Sequence, residues 1–121
     1  IIPQNFNTVI RTKSKDMIDC IERVSLIITD RFKAPLKMEF RDNELRVSTA
    51  TALGTANDKI GVSVDGNDIE IGIQSRYILD ALRAGEEDEV LMNMVNPLSP
   101  VCIVPTTGDS FLYLILPVRL S

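Results

Sequence analysis

The sequence predicts an α+β domain in which antiparallel sheets pack against two helices kept to one side. Three observations lead there. Apolar and polar residues alternate with a period of two through much of the chain, as in Leu36-Lys37-Met38-Glu39-Phe40-Arg41, the spacing of a strand with one buried face. Two segments switch to helical spacing, one opening near Ser14 and one near Ser75. Turn-forming clusters such as Asp42-Asn43 and Asp65-Gly66-Asn67 fall between alternating runs, which makes neighbouring strands hairpins and the sheets mostly antiparallel. A length of 121 residues suits a single domain, residues 1–121, around one core.

The first strand runs from about Asn7 to Lys13, and Ser14 is a side chain suited to cap the helix that follows. Met17, Cys20, Ile21, Val24, Ile27 and Ile28 repeat along one helical face, and that helix is expected to end near Thr29. Leu26 lies outside the stripe: at about 100° per residue it points nearly opposite to Met17 and Ile28. Leu36, Met38 and Phe40 share one strand face; past the turn, Leu45, Val47 and Thr49 share the next, and Thr51 to Gly54 reads as a loop. Ile60, Val62 and Val64 alternate in one further strand and Ile69, Ile71 and Ile73 in another. Ser75 is placed to cap a second helix, Arg76 to Arg83, with Ile78, Ala81 and Leu82 inward and Gly85 ending it. Glu89 to Val95, Pro100 to Val104 and Ser110 to Leu116 complete the strands. The expected order is β-α-β-β-β-β-α-β-β-β.

Composition argues against most catalysis. There is no histidine, which removes the commonest general base, the usual zinc ligand and the usual triad partner. The glycines stand singly, so no phosphate-cradling loop is present. Glu86-Glu87-Asp88-Glu89 is acidic, but a run of adjacent carboxylates gives poor octahedral geometry, and a solvated loop is the better reading. No catalytic residue, metal or cofactor is expected. A net charge of -4 disfavours a tight, static grip on DNA phosphates by this chain alone. No apolar run approaches the roughly 18 residues of a membrane span, and no basic-plus-apolar leader opens the chain. Cys20 and Cys102 fit no metal spacing and sit in apolar patterns, which suits buried free thiols in a reducing compartment; the expected location is the cytoplasm. The opening Ile1-Ile2-Pro3, without an initiator Met, suggests a piece of a longer polypeptide.

The closing run Phe111-Leu112-Tyr113-Leu114-Ile115-Leu116 is apolar at both parities, so both faces of this strand favour leaving water. A central strand covered on both sides would satisfy this, and so would a strand this close to the chain end that lays one face into a partner groove. Pro117 has no N–H and stops strand pairing at its own nitrogen. Val118-Arg119-Leu120 then offers two apolar side chains and one cation near the surface. Asn96-Pro97-Leu98-Ser99-Pro100 is a stiff loop whose Leu98 has no evident place in the core. An apolar patch with a polar rim marks a binding surface.

Three motifs together resemble the third domain of the bacterial DNA polymerase III beta subunit family: Ile73-Gln74-Ser75-Arg76-Tyr77-Ile78-Leu79-Asp80-Ala81-Leu82, then Asn96-Pro97-Leu98-Ser99-Pro100, then Leu114-Ile115-Leu116-Pro117-Val118-Arg119-Leu120. Ser121 is one residue beyond the usual terminal Leu. The resemblance implies a domain with antiparallel sheets outside and two helices inside, the third of three in a protomer. Two protomers would close head to tail into a homodimeric ring around duplex DNA. It also implies a pocket for short peptides carried by the DNA polymerase III alpha subunit, the clamp loader and repair proteins. Leu114, Leu116, Pro117, Val118, Arg119 and Leu120 would form its wall, with Gln74, Tyr77, Leu98 and Pro100 as the adjoining subsite. Phe32 would lie at the rim, and Pro3 and Thr8 are the remaining matched positions. Leu26 and Ile27 match positions at the protomer interface, and the segment with Thr55, Asn57 and Lys59 matches an edge strand that continues into the neighbouring protomer.

A ring that encircles DNA and slides needs only weak contacts. Arg76 and Arg83 are seven apart and share a helix face opposite Ile78 and Leu82. Lys15 and Arg23 lie away from the first helix's apolar stripe. These four cations are the expected DNA-facing set. Two other classes stay open: a purely structural oligomerisation domain without a peptide site, and a carboxylate-dependent hydrolase, disfavoured by the lack of histidine and of a convergent acid pair.

Overall fold

The structure, a computed structural model, describes residues 5–31 and 33–120. Among these residues, nine strands and two α-helices follow in the order β1 (Thr8–Lys13), α1 (Ser14–Val24), β2 (Leu36–Arg41), β3 (Glu44–Thr51), β4 (Gly54–Gly61), β5 (Ser63–Gly66), β6 (Ile69–Ile73), α2 (Ser75–Ala84), β7 (Glu89–Met94), β8 (Val101–Pro105) and β9 (Tyr113–Ile115). They form a five-stranded sheet in the order β5-β1-β7-β8-β9 and a four-stranded sheet in the order β4-β3-β2-β6. All of these strand pairs are antiparallel. The inward residues of both sheets and the apolar stripes of both helices meet in one cluster that includes Ile10, Met17, Phe40, Ile71, Leu82 and Met92. Burial of such side chains contributes roughly 1.5–3 kcal/mol each.

The hairpin at Asp42-Asn43 has both residues at positive φ, 53° and 55°, which joins β2 to β3 with the twist that such two-residue turns favour. At Asp65-Gly66-Asn67 the need for glycine is absolute: Gly66 has φ +101°, and a Cβ there would collide with the Asn7 carbonyl oxygen.

Several expectations are corrected. Neither serine caps its helix: Ser14 and Ser75 are the first helical residues, and Lys13 and Gln74 hold the cap positions in extended backbone without a side-chain bond. The cause is that strands run straight into both helices; Lys13 still pairs with Glu89 of β7. The α1 start is tied by the Ser14 N–H, which donates to the Asp88 carbonyl at 2.9 Å, while the buried Ser14 hydroxyl has no protein partner among the described residues. α1 ends at Val24, not near Thr29, and tightens into a 3₁₀ turn over Ser25–Ile27. The expected loop from Thr51 to Gly54 shrinks to the two residues between β3 and β4. Ile60, Val62 and Val64 do not share a strand. β4 ends at Gly61, and β5 joins the other sheet against β1, so the order has one strand more than expected. The alternation hides this crossing because both segments turn the same parity toward one core. Val62 and Val64 donate their N–H groups to the Asn43 backbone carbonyl and Oδ1 at 3.1 and 3.0 Å, which holds the crossing in place. β9 is shorter than expected, three residues rather than Ser110 to Leu116; β7 stops at Met94 and β8 is shifted by one residue.

Both cysteines are free and buried. Burial pushes the Cys20 thiol up to about 11, and Asp58 adds to the rise. The raised value favours the protonated thiol in the fold, so its contribution is fully present below the ordinary value of 9.0 and is lost as pH climbs toward about 11. Urea unfolding of the complete protein between these pH values is expected to show declining stability, with a shallower decline for Cys20→Ala. At pH 7, Phe40→Ala is expected to cost about 3–5 kcal/mol in the same assay, since the ring is fully buried.

Candidate binding surface

The closing run brings three exposed leucines, Leu112, Leu114 and Leu116, close together in sequence. Ile115 is buried and Tyr113 half-buried, whereas Leu112 and Leu114 are exposed and Leu116 is 73% exposed. Phe111 packs against the core and its ring lies 5.5 Å from that of Tyr113. The two parities of the run therefore do different things.

Beside β9 lies α2. Its apolar stripe Ile78, Ala81 and Leu82 is buried, but Tyr77 is 58% exposed. Tyr77, Ala81 and Ala84 are spaced i, i+4, i+7 and share one face. With Asp80 they form one wall of a groove of about 540 Å³ whose other wall is Tyr113, Leu114, Ile115 and Leu116. The groove exists because Ala81 and Ala84 are small. Their spacing is visible in the sequence, but periodicity assigns Ala81 to the core and gives Ala84 no role.

Past Ile115 the chain leaves β8, as Pro117 requires, but pairing resumes at once elsewhere. The Val118 N–H donates to the Gly72 carbonyl at 2.8 Å, an isolated antiparallel bridge to β6. The tail thus passes from the edge strand of one sheet to the edge strand of the other. A second, smaller hollow of about 230 Å³ is lined by Glu70, Gly72, Pro97, Leu98, Val118, Arg119 and Leu120. Leu98 is held at its rim by an Asn96 turn: Asn96 Oδ1 accepts from the Leu98 N–H at 2.8 Å. Gln74 sits half-buried at the α2 cap, its carbonyl accepting from Tyr77 and Ile78 N–H. Pro100 is half-buried just before β8 and lines neither hollow. Thr8 does not join this surface: it is buried in β1 and its hydroxyl donates to the Asn67 carbonyl at 2.7 Å. Pro3 and Phe32 lie outside the described residues.

A second exposed patch lies on β4. Leu26, in the 3₁₀ turn, is 79% exposed, and Ile27 is half-buried. The turn packs against β4, the edge strand on which Thr55, Asn57 and Lys59 alternate outward. Leu26 and an open strand edge therefore share one side of the domain.

The four cations divide. Arg23 Nε lies 2.6 Å from Asp58 Oδ2 and Arg83 is 3.0 Å from Glu22. The Arg23 bond holds the Asp58 carboxyl below the usual range, and the Lys59 N–H adds to the effect. These two arginines clasp α1 to β4 and α2 to α1 while their side chains stay exposed. Lys15 and Arg76 are exposed and belong to no ion pair among the described residues. Among the described residues, no three His, Cys, Asp or Glu side chains converge as a metal site would need.

A family model for the C-terminal domain of the DNA polymerase III beta subunit matches residues 1–119. The beta sliding clamp of Staphylococcus aureus (strain Mu50 / ATCC 700699) is 27% identical over 121 residues, covering 98% of this chain and 32% of that protein. The crystal structure of the DNA polymerase III beta subunit from Thermotoga maritima superposes with a TM-score of 0.94 at 29% identity, covering 100% of this chain and 33% of that one. The DNA polymerase sliding clamp from Bacillus subtilis gives 0.93 at 25%, covering 99% and 32%. The chain thus spans about a third of the length of these relatives.

The geometry separates surface from scaffold. Leu116→Ala is expected to change stability by less than about 0.5 kcal/mol. Ile115→Ala, at the adjacent but buried position, is expected to cost about 2–5 kcal/mol, both by urea unfolding.

Proposed function

Because the chain belongs to the family of C-terminal domains of the DNA polymerase III beta subunit, we propose that it works as the third domain of a three-domain protomer of a sliding clamp. In that role it is a non-catalytic processivity factor. Two protomers close into a ring around duplex DNA in the cytoplasm, and the polymerase alpha subunit, the clamp loader and repair proteins dock through short peptides.

One observation carries this reading: the exposed Leu114, Leu116 and Tyr77 line the larger groove, and the chain runs on from Leu116 into Val118, Arg119 and Leu120, which line the smaller hollow. An apolar trough with a few polar groups suits a short extended peptide with Leu and Phe anchors. Gln74 and Arg119 supply orienting hydrogen bonds, and Leu98, Pro100, Pro117, Val118 and Leu120 supply contact surface. The neighbouring domain completes the trough. In the ring, β4 extends its sheet into the next protomer and Leu26 packs beside it, which covers an edge that would otherwise be open. Lys15 and Arg76 supply loose, sequence-independent contacts to the encircled duplex, while Arg23 and Arg83 hold the frame.

The test is an NMR titration of the complete protein with a Gln-Leu-Ser-Leu-Phe peptide. Resonances of Tyr77, Leu116 and Arg119 are expected to move, and Leu116→Ala is expected to weaken binding by about 2 kcal/mol, roughly 30-fold in Kd. No movement at these residues would leave only a structural oligomerisation role. Leu26→Ala is expected to raise the ring's dissociation constant in analytical ultracentrifugation while peptide affinity stays unchanged. Reversing both Lys15 and Arg76 to Glu is expected to impair clamp loading on DNA with ring assembly intact.

A further inference from the structure

Gly72 is a glycine that its backbone does not need. It lies inside β6, paired with Lys37 of β2 in ordinary strand register, and no turn or positive φ requires it. Ile69, Ile71 and Ile73 point into the core, so Glu70 and Gly72 face outward. Glu70 is exposed as an outward residue should be, yet Gly72 is buried. What covers it is the C-terminal tail. A Cβ on Gly72 would sit 2.7 Å from the Val118 carbonyl oxygen, 2.7 Å from Leu120 Cδ2 and 2.9 Å from Leu120 Cγ. All three distances are shorter than real Cβ contacts, and one of the obstructing atoms is backbone, which cannot rotate away. The Val118 N–H to Gly72 carbonyl bond holds the tail at this point.

We infer that Gly72 is a positioning residue for peptide binding: its missing side chain seats the tail against β6 and thereby fixes Leu116, which lies two residues before the contact and overhangs the groove. Gly72 lines the smaller hollow only through its backbone and bears no group that a peptide could recognise. The inference rests on the peptide-site reading and adds a residue that the three motifs of the sequence assign no binding role. A methyl group at position 72 lifts Val118 and Leu120 off the sheet, frees Leu116 from its fixed place and enlarges the conformational freedom that binding must remove.

The test is a double-mutant cycle in the complete protein, read by titration of a fluorescent Gln-Leu-Ser-Leu-Phe peptide and by thermal melting. The variants are Gly72→Ala, a chain truncated after Pro117, and the two combined. Gly72→Ala is expected to raise Kd at least tenfold, the truncation to do likewise, and the combination to be no weaker than the truncation alone. Thermal melting of the truncated chain is expected to be insensitive to Gly72→Ala, because the atoms it would strike are gone. Additive losses in the cycle overturn the inference, as does wild-type affinity in Gly72→Ala when truncation weakens binding. If Gly72→Ala fails to fold, the truncated background decides: folding there supports the inference, and failure there assigns the glycine to the sheet instead. Should Leu116→Ala, Gly72→Ala and the truncation all bind normally, the peptide-site reading itself falls.

Discussion

Two sheets share one core without sharing a strand, and this constraint governs the rest of the molecule. The chain has to serve both sheets, so it crosses between them repeatedly, and the crossings are where its special chemistry lies. At Val62 the crossing is pinned by both oxygens of Asn43. At Pro117 it is forced by a missing N–H and completed by one hydrogen bond to Gly72. The two helices make the remaining long crossings and put their apolar stripes into the same cluster. The groove beside β9 follows from this plan, because α2 descends from β6 of one sheet and must pass the edge strand of the other.

Charge is arranged around the same frame. The chain is acidic overall, at -4, yet its helix arginines are not free counterweights. Arg23 and Arg83 join α1 to β4 and α2 to α1. Both pairs are exposed, so their role is to fix direction rather than to add much stability. Lys15 and Arg76 are the helix cations that remain outside such pairs among the described residues.

Much of this is legible in the sequence because the core enforces periodicity. Leu36, Met38 and Phe40, Ile69, Ile71 and Ile73, and the stripe through Met17 and Cys20 all occupy the faces that their spacing assigns. Leu26 stands outside its helix's stripe and is exposed. The failures are equally physical. Periodicity reports which side of a segment is buried and is silent on which sheet the segment joins, so the break at Val62 leaves no trace in the pattern. Serine preference at helix starts loses to strand pairing that extends to the helix boundary, as at Lys13. The ion pairs of Arg23 and Arg83 leave no trace in the pattern because their partners, Asp58 and Glu22, come from other elements. Gly72 gives no signal at all, since nothing local distinguishes a glycine required by a distant tail from one tolerated in a strand.

One wall of the groove is made of what is absent. Ala81 and Ala84 leave room only by having no side chain beyond Cβ, and the rest of α2 does not depend on Ala84, which is exposed. A cavity made this way is open to rapid evolutionary change: an alanine-to-valine step needs a single base, and at Ala84 it would narrow the groove without disturbing the core. The depth of the groove is its most easily edited property.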